Sequence, residues 1–364
     1  MHTSTLARQG RAGPGPSAAR PAILRGARSG TTIRCVRAAY IETLGDVSRI
    51  RYGELPDAEP GDDHVLVRVE AVGVDAVDTF VRSGRWPTEV RFPLALGRDL
   101  VGTVASVGGG VAGFRPGDRV WTNSAGYGGR AGATAELVPV EQDRLYRLPS
   151  GADPISFVAS VHPGATAHGV LLDRARVSAG ERVAVIGANG AVGMCLVQVA
   201  AQQGADVIAV IRQPAARARL AELGAGQVVI ADAGEAPAAA ARVAGGIDVL
   251  VDTTRRVDVA TVPDLLNPRG RIVLIAGQGG AVLDLWSFYT REVQLLSFLM
   301  SRMTVAELAA SAARIDATYP DRPLTVSVGR VLPFSEAARA HALLESGQLP
   351  RMPDGTVGRL VLTP

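Results

Sequence analysis

RVAVIGANGAVGMCLVQVAAQQGADVIAVIR, residues 182–212, decides the fold. Its opening β-branched run, 182–187, is long enough for one buried strand and stops at Gly187. Glycines recur at Gly190 and Gly193, apolar spacing turns helical over 191–203, and DVIAVI (206–211) reads as a second buried strand. Strand, glycine turn, helix and strand in about 30 residues make a βαβ unit. A turn poor in side chains lets the backbone N–H groups of Gly187, Ala188, Asn189, Gly190, Ala191, Val192 and Gly193 approach a pyrophosphate. The positive end of the following helix faces that anion. The spacing is G-x-x-G-x-x-G, so a bare strand-to-helix turn of another α/β domain is the competing reading; the flanking strands favour the phosphate turn.

Working outward, RVAVIG, DVIAVI, QVVIAD, IDVLVDTT, RIVLIAG and QLLSFLM form six strands separated mostly by helices, the number a complete doubly wound dinucleotide sheet uses. Upstream the pattern is all-β. HVLVRVEAVGV (64–74) alternates cleanly, VGTVASVG is bounded by glycine, and RPGDRVWT sets a Pro-Gly-Asp turn before a strand. Short strands with frequent turns predict a compact barrel. Downstream, 304–319 and 334–346 read as helices around the strand LTVSVGRVL, and VGRLVLTP is a closing strand. Such a tail is expected to return to the first domain. The expected division is a leader over 1–35, a β domain over 37–160, a dinucleotide domain over 161–300 and a returning segment over 301–364.

All 38 basic residues are arginine, which removes Schiff-base chemistry, a Walker A loop and any lysine acid or base. The leader carries six of them and no Asp or Glu; without them the formal charge falls from +3 to −3. The basic balance is therefore no argument for nucleic acid. The leader reads either as a transit peptide, placing the protein in an organelle matrix, or as an upstream start before Val36, placing it in the cytoplasm, which we favour. Cys35 and Cys195 make no disulfide framework, which fits a reducing compartment. No apolar run approaches the ~20 residues that span a bilayer, so no membrane is expected.

GVDAVDTFVRSGRWP (73–87), PLALGRDLVGTVASVG (93–108), FRPGDRV (114–120), PGATAHGVL (163–171), the glycine turn and the closing AHALLESG…GRLVL occur in one order. Together they resemble the quinone oxidoreductase (zeta-crystallin-like) branch of the medium-chain dehydrogenase/reductase superfamily, from about residue 37 to the end. The resemblance implies an α/β protein: a GroES-like β-barrel catalytic domain, an inserted Rossmann domain with a six-stranded parallel sheet, and a cofactor cleft between them. It implies reduction of a quinone or related α,β-unsaturated carbonyl by hydride from NADPH. An enone or enoyl-thioester reductase on the same fold, and a non-catalytic NADPH-binding protein, are the alternatives.

The resemblance also orders the site residues. Zinc-dependent relatives have a cysteine where this chain has Asp75 and a histidine where it has Arg98, and an arginine repels a cation, so no metal is expected. The five histidines show no metal-ligand spacing and are expected mostly at the surface or in packing. The family's first motif carries Asn and Tyr where this chain has Asp75 and Phe80. Asp75 is expected beside the nicotinamide, neutralised by Arg98, or else as a turn-holding Asp. Tyr127 is either a substitute proton donor or a pocket wall, and Trp86, Phe80 and Phe92 are candidate walls for a flat substrate. Thr166 is either near the nicotinamide or a helix N-terminal hydroxyl. Gly277 and Gln278 are expected to end the fifth strand at the carboxyl edge, and Arg359 either faces the cleft or is a solvated strand residue. Neither G-x-S-x-G nor H-E-x-x-H occurs, so hydride transfer is the chemistry left.

NADPH is expected over NADH because no acid follows DVIAVI until Glu222, while Arg212 and Arg217 are placed to bind a 2′-phosphate. A homodimer is expected through the apolar edge strand 292–300.

Overall fold

The computed structural model describes residues 35–277 and 280–364. The leader over 1–34 and Gln278 lie outside the described residues.

The first half contains β1 (Cys35–Ile41), β2 (Arg51–Pro56), β3 (His64–Gly73), helix α1 (Ala76–Ser83), β4 (Leu94–Ala95), β5 (Asp99–Val107), β6 (Arg119–Thr122), β7 (Leu137–Glu141) and β8 (Tyr146–Arg147). Cys35, expected in the leader, opens β1. The long β3 is the spine: β5 and β7 pair with it antiparallel, and β6 and β8 extend the sheet beyond β5. The clean alternation expected of β3 fails at Leu66 and over 71–73, which are all buried. Near 71–73 the cause is the long helix α2 (Pro154–His168), whose Phe157, Val158 and Val161 pack on Ala71 while Val65, Val67 and Val69 join the other core cluster.

The stretch from 154 to 174, α2 plus a π-turn, is long and apolar enough to cross a membrane, and so exceeds the longest apolar run expected. With 78% of its window buried inside the protein, its apolar length serves the core of the fold. It packs on β3 and β5 of the first half and on α3 (Ala191–Gln202) of the second, running through the expected boundary at residue 160.

Six parallel strands follow: β9 (Arg182–Ile186), β10 (Asp206–Ile211), β11 (Gln227–Ile230), β12 (Ile247–Asp252), β13 (Leu266–Leu274) and β14 (Gln294–Ser297). Their spatial order, β11-β10-β9-β12-β13-β14, reverses direction between β9 and β12, the switch point at which such sheets bind ligands. Both faces are buried. Val183, Val185, Val207 and Val251 face α3, and Ala184, Ile208, Val210 and Leu250 face the opposite layer. That two-sided burial explains the unbroken β-branched runs.

Helices α4 (Arg217–Glu222), α5 (Ala236–Ala244) and α6 (Leu285–Arg291) lie between these strands, and α7 (Val305–Thr318) follows them. After β15 (Val328–Pro333) and α8 (Ala337–Glu345), β16 (Arg359–Thr363) pairs antiparallel with β3, Val361 opposite Gly73. The tail thus adds its strands to the first half's sheet.

Two expected strands end earlier than their apolar runs. The edge strand predicted over 292–300 covers Gln294–Ser297 only, because Glu292 takes a left-handed conformation (φ 52°) that closes α6 and a 3₁₀ turn begins at Met300. β13 ends at Leu274, so Gly277 does not end the fifth strand; it lies exposed in the loop beyond it.

Candidate active site

The glycine turn has a distinct cause at each glycine. Gly187 takes φ +79°, and a Cβ there would meet Thr253 Oγ1 at 2.4 Å. A Cβ on Gly193 would lie 2.4 Å from the Gly187 carbonyl and 2.7 Å from Ala188 Cα, so this glycine lets α3 close onto the turn. Gly190 differs: its φ is −84°, and a Cβ would meet nothing nearer than 3.6 Å. It caps α3 with no side-chain bond, which leaves the N–H groups of Ala191, Val192 and Gly193 as donors. Ala188 is fully buried beneath them. The Asn189 side chain is not one of the donors: its amide nitrogen gives its bond to the Gly355 carbonyl at 3.1 Å, and the Asn189 carbonyl accepts from Val357 N at 2.9 Å. The segment leading into β16 therefore straps the turn.

β10 ends at Ile211 as expected. Arg212 is exposed in the loop beyond it and Arg217, also exposed, opens α4. Among the described residues neither has an ion-pair or hydrogen-bond partner, whereas Arg219 is paired to Glu222 at 3.0 Å.

Where α1, β5, α2 and β16 converge, six ionisable side chains meet with little or no exposure: Asp75, Asp78, Arg98, Asp99, His162 and Arg359. Asp75 caps α1, and its backbone N–H donates to Asp78 Oδ2 at 2.8 Å. The expected pairing of Asp75 with Arg98 is incorrect. Arg359 neutralises Asp75, with Nη1 2.6 Å from Oδ1, while Arg98 donates to Ser301 Oγ at 2.7 Å and lies over the Tyr127 ring at 5.1 Å. Arg98 branches from the residue before β5, on the side facing 301, whereas β16 runs directly beside β3 and its following Asp75. Arg359 is accordingly no solvated strand residue; its side chain is 11% exposed.

The charges sort themselves by these contacts. Burial alone would raise the Asp75 carboxyl, but Arg359 and His162 outweigh it and hold it below the usual carboxylate range. Burial and the Asp75 charge push Asp78 up to about 8 and Asp99 well above its ordinary value. Burial, with help from Arg98 and Arg359, lowers His162. Ligand atoms of Asp75, Asp99 and His162 lie within 4.8 Å of one another, a spacing a metal ion can use. The Arg359 guanidinium, also 3.8 Å from Asp99, already supplies a fixed positive charge there and opposes a second cation.

The remaining candidates divide. Trp86 Nε1 donates to the Tyr127 hydroxyl at 3.2 Å, and the two rings share a small apolar cluster with Leu94 and Leu96. Phe80 lies outside it with Arg85 over its ring at 4.8 Å, and Phe92 is 46% exposed. Thr166 is not a helix N-terminal hydroxyl. It lies in the last turn of α2, with Oγ1 donating to the His162 carbonyl at 2.9 Å. Asp99 and His162 were not singled out by sequence. The only trace was the proximity of His162 to PGATAH, since pairing across strands leaves no local pattern.

A parallel sheet with a phosphate turn at its switch point, joined to a β lobe with a buried ionisable cluster, defines a pyridine-nucleotide-dependent oxidoreductase. Residues 61–150 match the family described as alcohol dehydrogenase GroES-like domain, and 191–314 that described as zinc-binding dehydrogenase. The quinone oxidoreductase of Sus scrofa is 31% identical over 293 residues, covering 78% of this chain and 85% of that protein. That of Lama guanicoe is 29% identical over 314 residues, covering 83% and 89%. The solved structure of mycobacterial Rv1454c complexed with NADPH is similar at a TM-score of 0.74 and 28% identity, covering 90% of this chain and 100% of that one. The chain belongs to the medium-chain dehydrogenase/reductase superfamily, in its quinone oxidoreductase (zeta-crystallin-like) branch.

Proposed function

We propose that the protein reduces a quinone or a related α,β-unsaturated carbonyl with hydride from NADPH and without a metal. One observation carries the cofactor choice: Arg212 and Arg217 stand exposed and unpartnered beyond β10, with no acid before Glu222. A carboxylate there would hold a ribose hydroxyl and repel a 2′-phosphate, whereas two guanidinium groups bind the phosphate through charge-assisted bonds. The donors of Ala191, Val192 and Gly193 fit the pyrophosphate, and Gly190, which packing within the chain does not require to be glycine, admits its close approach.

NADPH supplies the hydride when bound. The chain's residues position the reactants and set the local charge. Trp86 and Tyr127 offer a flat wall, and the Asp75–Arg359 pair keeps the carboxylate from acting as an isolated negative charge. The fixed charge of Arg359 serves this site in place of a metal ion. We propose also that β14 pairs with its symmetry mate in a homodimer, because its Leu295 is exposed at the sheet edge.

The test compares kcat/KM for NADPH and NADH, with a panel of quinones and alkenals, in wild type and Arg212→Ala. A preference for NADPH that falls about tenfold or more in the variant is expected from the loss of a charge-assisted bond. Equal use of both cofactors by the wild type overturns the assignment. Binding of NADPH without turnover on any acceptor overturns the enzymatic reading.

A further inference from the structure

His162 is held on two sides. Its Nδ1 lies 3.3 Å from Asp99 Oδ1 and 3.8 Å from Asp75 Oδ2, and its carbonyl accepts from Thr166 Oγ1 one turn further along α2. Nδ1 is engaged by the Asp99 carboxyl group, which leaves Nε2 as the nitrogen able to meet a ligand. Nε2 bonds to none of the described residues, and the side chain keeps 13% of its surface exposed. A buried carboxyl on one nitrogen and an unengaged second nitrogen is the geometry of a proton relay.

The cluster also lies on the side of the sheet where ligands bind. Arg98 joins it to Ser301, just past the carboxyl end of β14, and Arg359 acts electrostatically on Cys195 in the first turns of α3. α3 starts at the carboxyl end of β9, so both links lead to the carboxyl edge.

We infer that His162 delivers the proton that completes reduction of the acceptor and is recharged by Asp99. This rests on the reading of the protein as a reductase of quinones or enones. Hydride adds to carbon with its electron pair, the acceptor's conjugated π electrons shift to oxygen, and an oxyanion results. That oxygen takes the proton from Nε2 as Nδ1 takes the carboxyl proton of Asp99 through their hydrogen bond. Asp99 is left as a carboxylate, and water reloads the pair after product leaves.

The resting charges suit this direction, since burial keeps Asp99 protonated and the imidazole neutral. The groups facing the pair are Asp75 and Asp78 from α1, Arg98 beside β5 and Arg359 from β16. Arg359 Nη2 is a buried donor without a partner, 3.8 Å from Asp99 Oδ2, so a short movement pairs it with the carboxylate that the transfer creates.

The experiment is steady-state NADPH oxidation with benzoquinone and with a short alkenal, in H₂O and D₂O, between about pH 6 and about pH 9. It uses the wild type, His162→Gln and Asp99→Asn, with NADPH affinity and thermal midpoint measured alongside. The expected result is a fall in kcat of about 100-fold or more in His162→Gln, with NADPH affinity changed less than about threefold and partial rescue by added imidazole. Asp99→Asn should lose the solvent isotope effect and the alkaline limb of the wild-type profile. Should His162→Gln fail to fold, those two readouts in Asp99→Asn decide. A folded His162→Gln with wild-type kcat and pH profile overturns the relay while leaving the reductase reading intact. A wild type inert toward both acceptors overturns both.

Discussion

Arg359 is the counter-charge of the buried Asp75 carboxylate, while burial keeps Asp99 beside it protonated. Removing it strands the Asp75 charge in the interior, and breaking a buried pair costs about 3–5 kcal/mol. Arg359→Leu is therefore expected to lower the unfolding free energy measured in urea by that amount, and Asp75→Asn in the same chain to recover a large part of it. Additive losses in the double variant would show that the pair carries no coupling. Asp78 supplies a pH dependence. Its folded-state pKa is raised to about 8, so its contribution to stability is complete below the unfolded value near about 3.9 and is lost as pH rises toward 8. Asp78→Asn, neutral throughout, should gain on the wild type across that interval by more than about 1 kcal/mol. A difference that does not vary with pH removes the assignment. This scale was the least legible in sequence. The residue types of the cluster were visible, but which arginine meets Asp75 depends on β16 running beside β3, and no local pattern around Arg98 or Arg359 encodes that.

The glycine turn was the most legible element, because strand, turn and helix are contiguous and each leaves its own periodicity. Its glycines predict opposite behaviours. Gly193→Ala forces a Cβ onto the Gly187 carbonyl and should lower the thermal midpoint of the protein without cofactor by several degrees, as about 1–3 kcal/mol of overpacking implies. Gly190→Ala has space and an ordinary φ, so its midpoint should stay within about 1 °C while NADPH affinity falls about tenfold or more. Similar midpoints for the two variants would contradict this division. Element ends were less legible. β13 and β14 stop short of their apolar runs because a strand needs a partner at every step; the first run continues into a loop that ends exposed at Gly277, and the second into a 3₁₀ turn that buries Met300.

At the scale of the molecule, Leu285, Trp286 and Tyr289 of α6 are 71%, 69% and 76% exposed, and Leu295 on the adjoining edge strand is 40% exposed. Burying such a patch, together with edge pairing, predicts a dimer at micromolar concentration that Leu295→Pro converts to monomer, since proline removes a ladder donor. Sedimentation velocity reads the change, and a wild type that sediments as monomer removes the proposal. The order of the two halves could be read from composition and period, whereas the closing of the first sheet by the last strand was legible only as an expected return. That closure sets a schedule for the newborn chain. Asp75 leaves the ribosome 284 residues before Arg359, an interval of roughly 15–60 s at ordinary rates of synthesis. Throughout it, β3 lacks a neighbour and the acids beside it lack their cation. A strand made early is thus among the last to become native, and a ribosome that stalls before β16 emerges releases a chain whose first sheet cannot be completed.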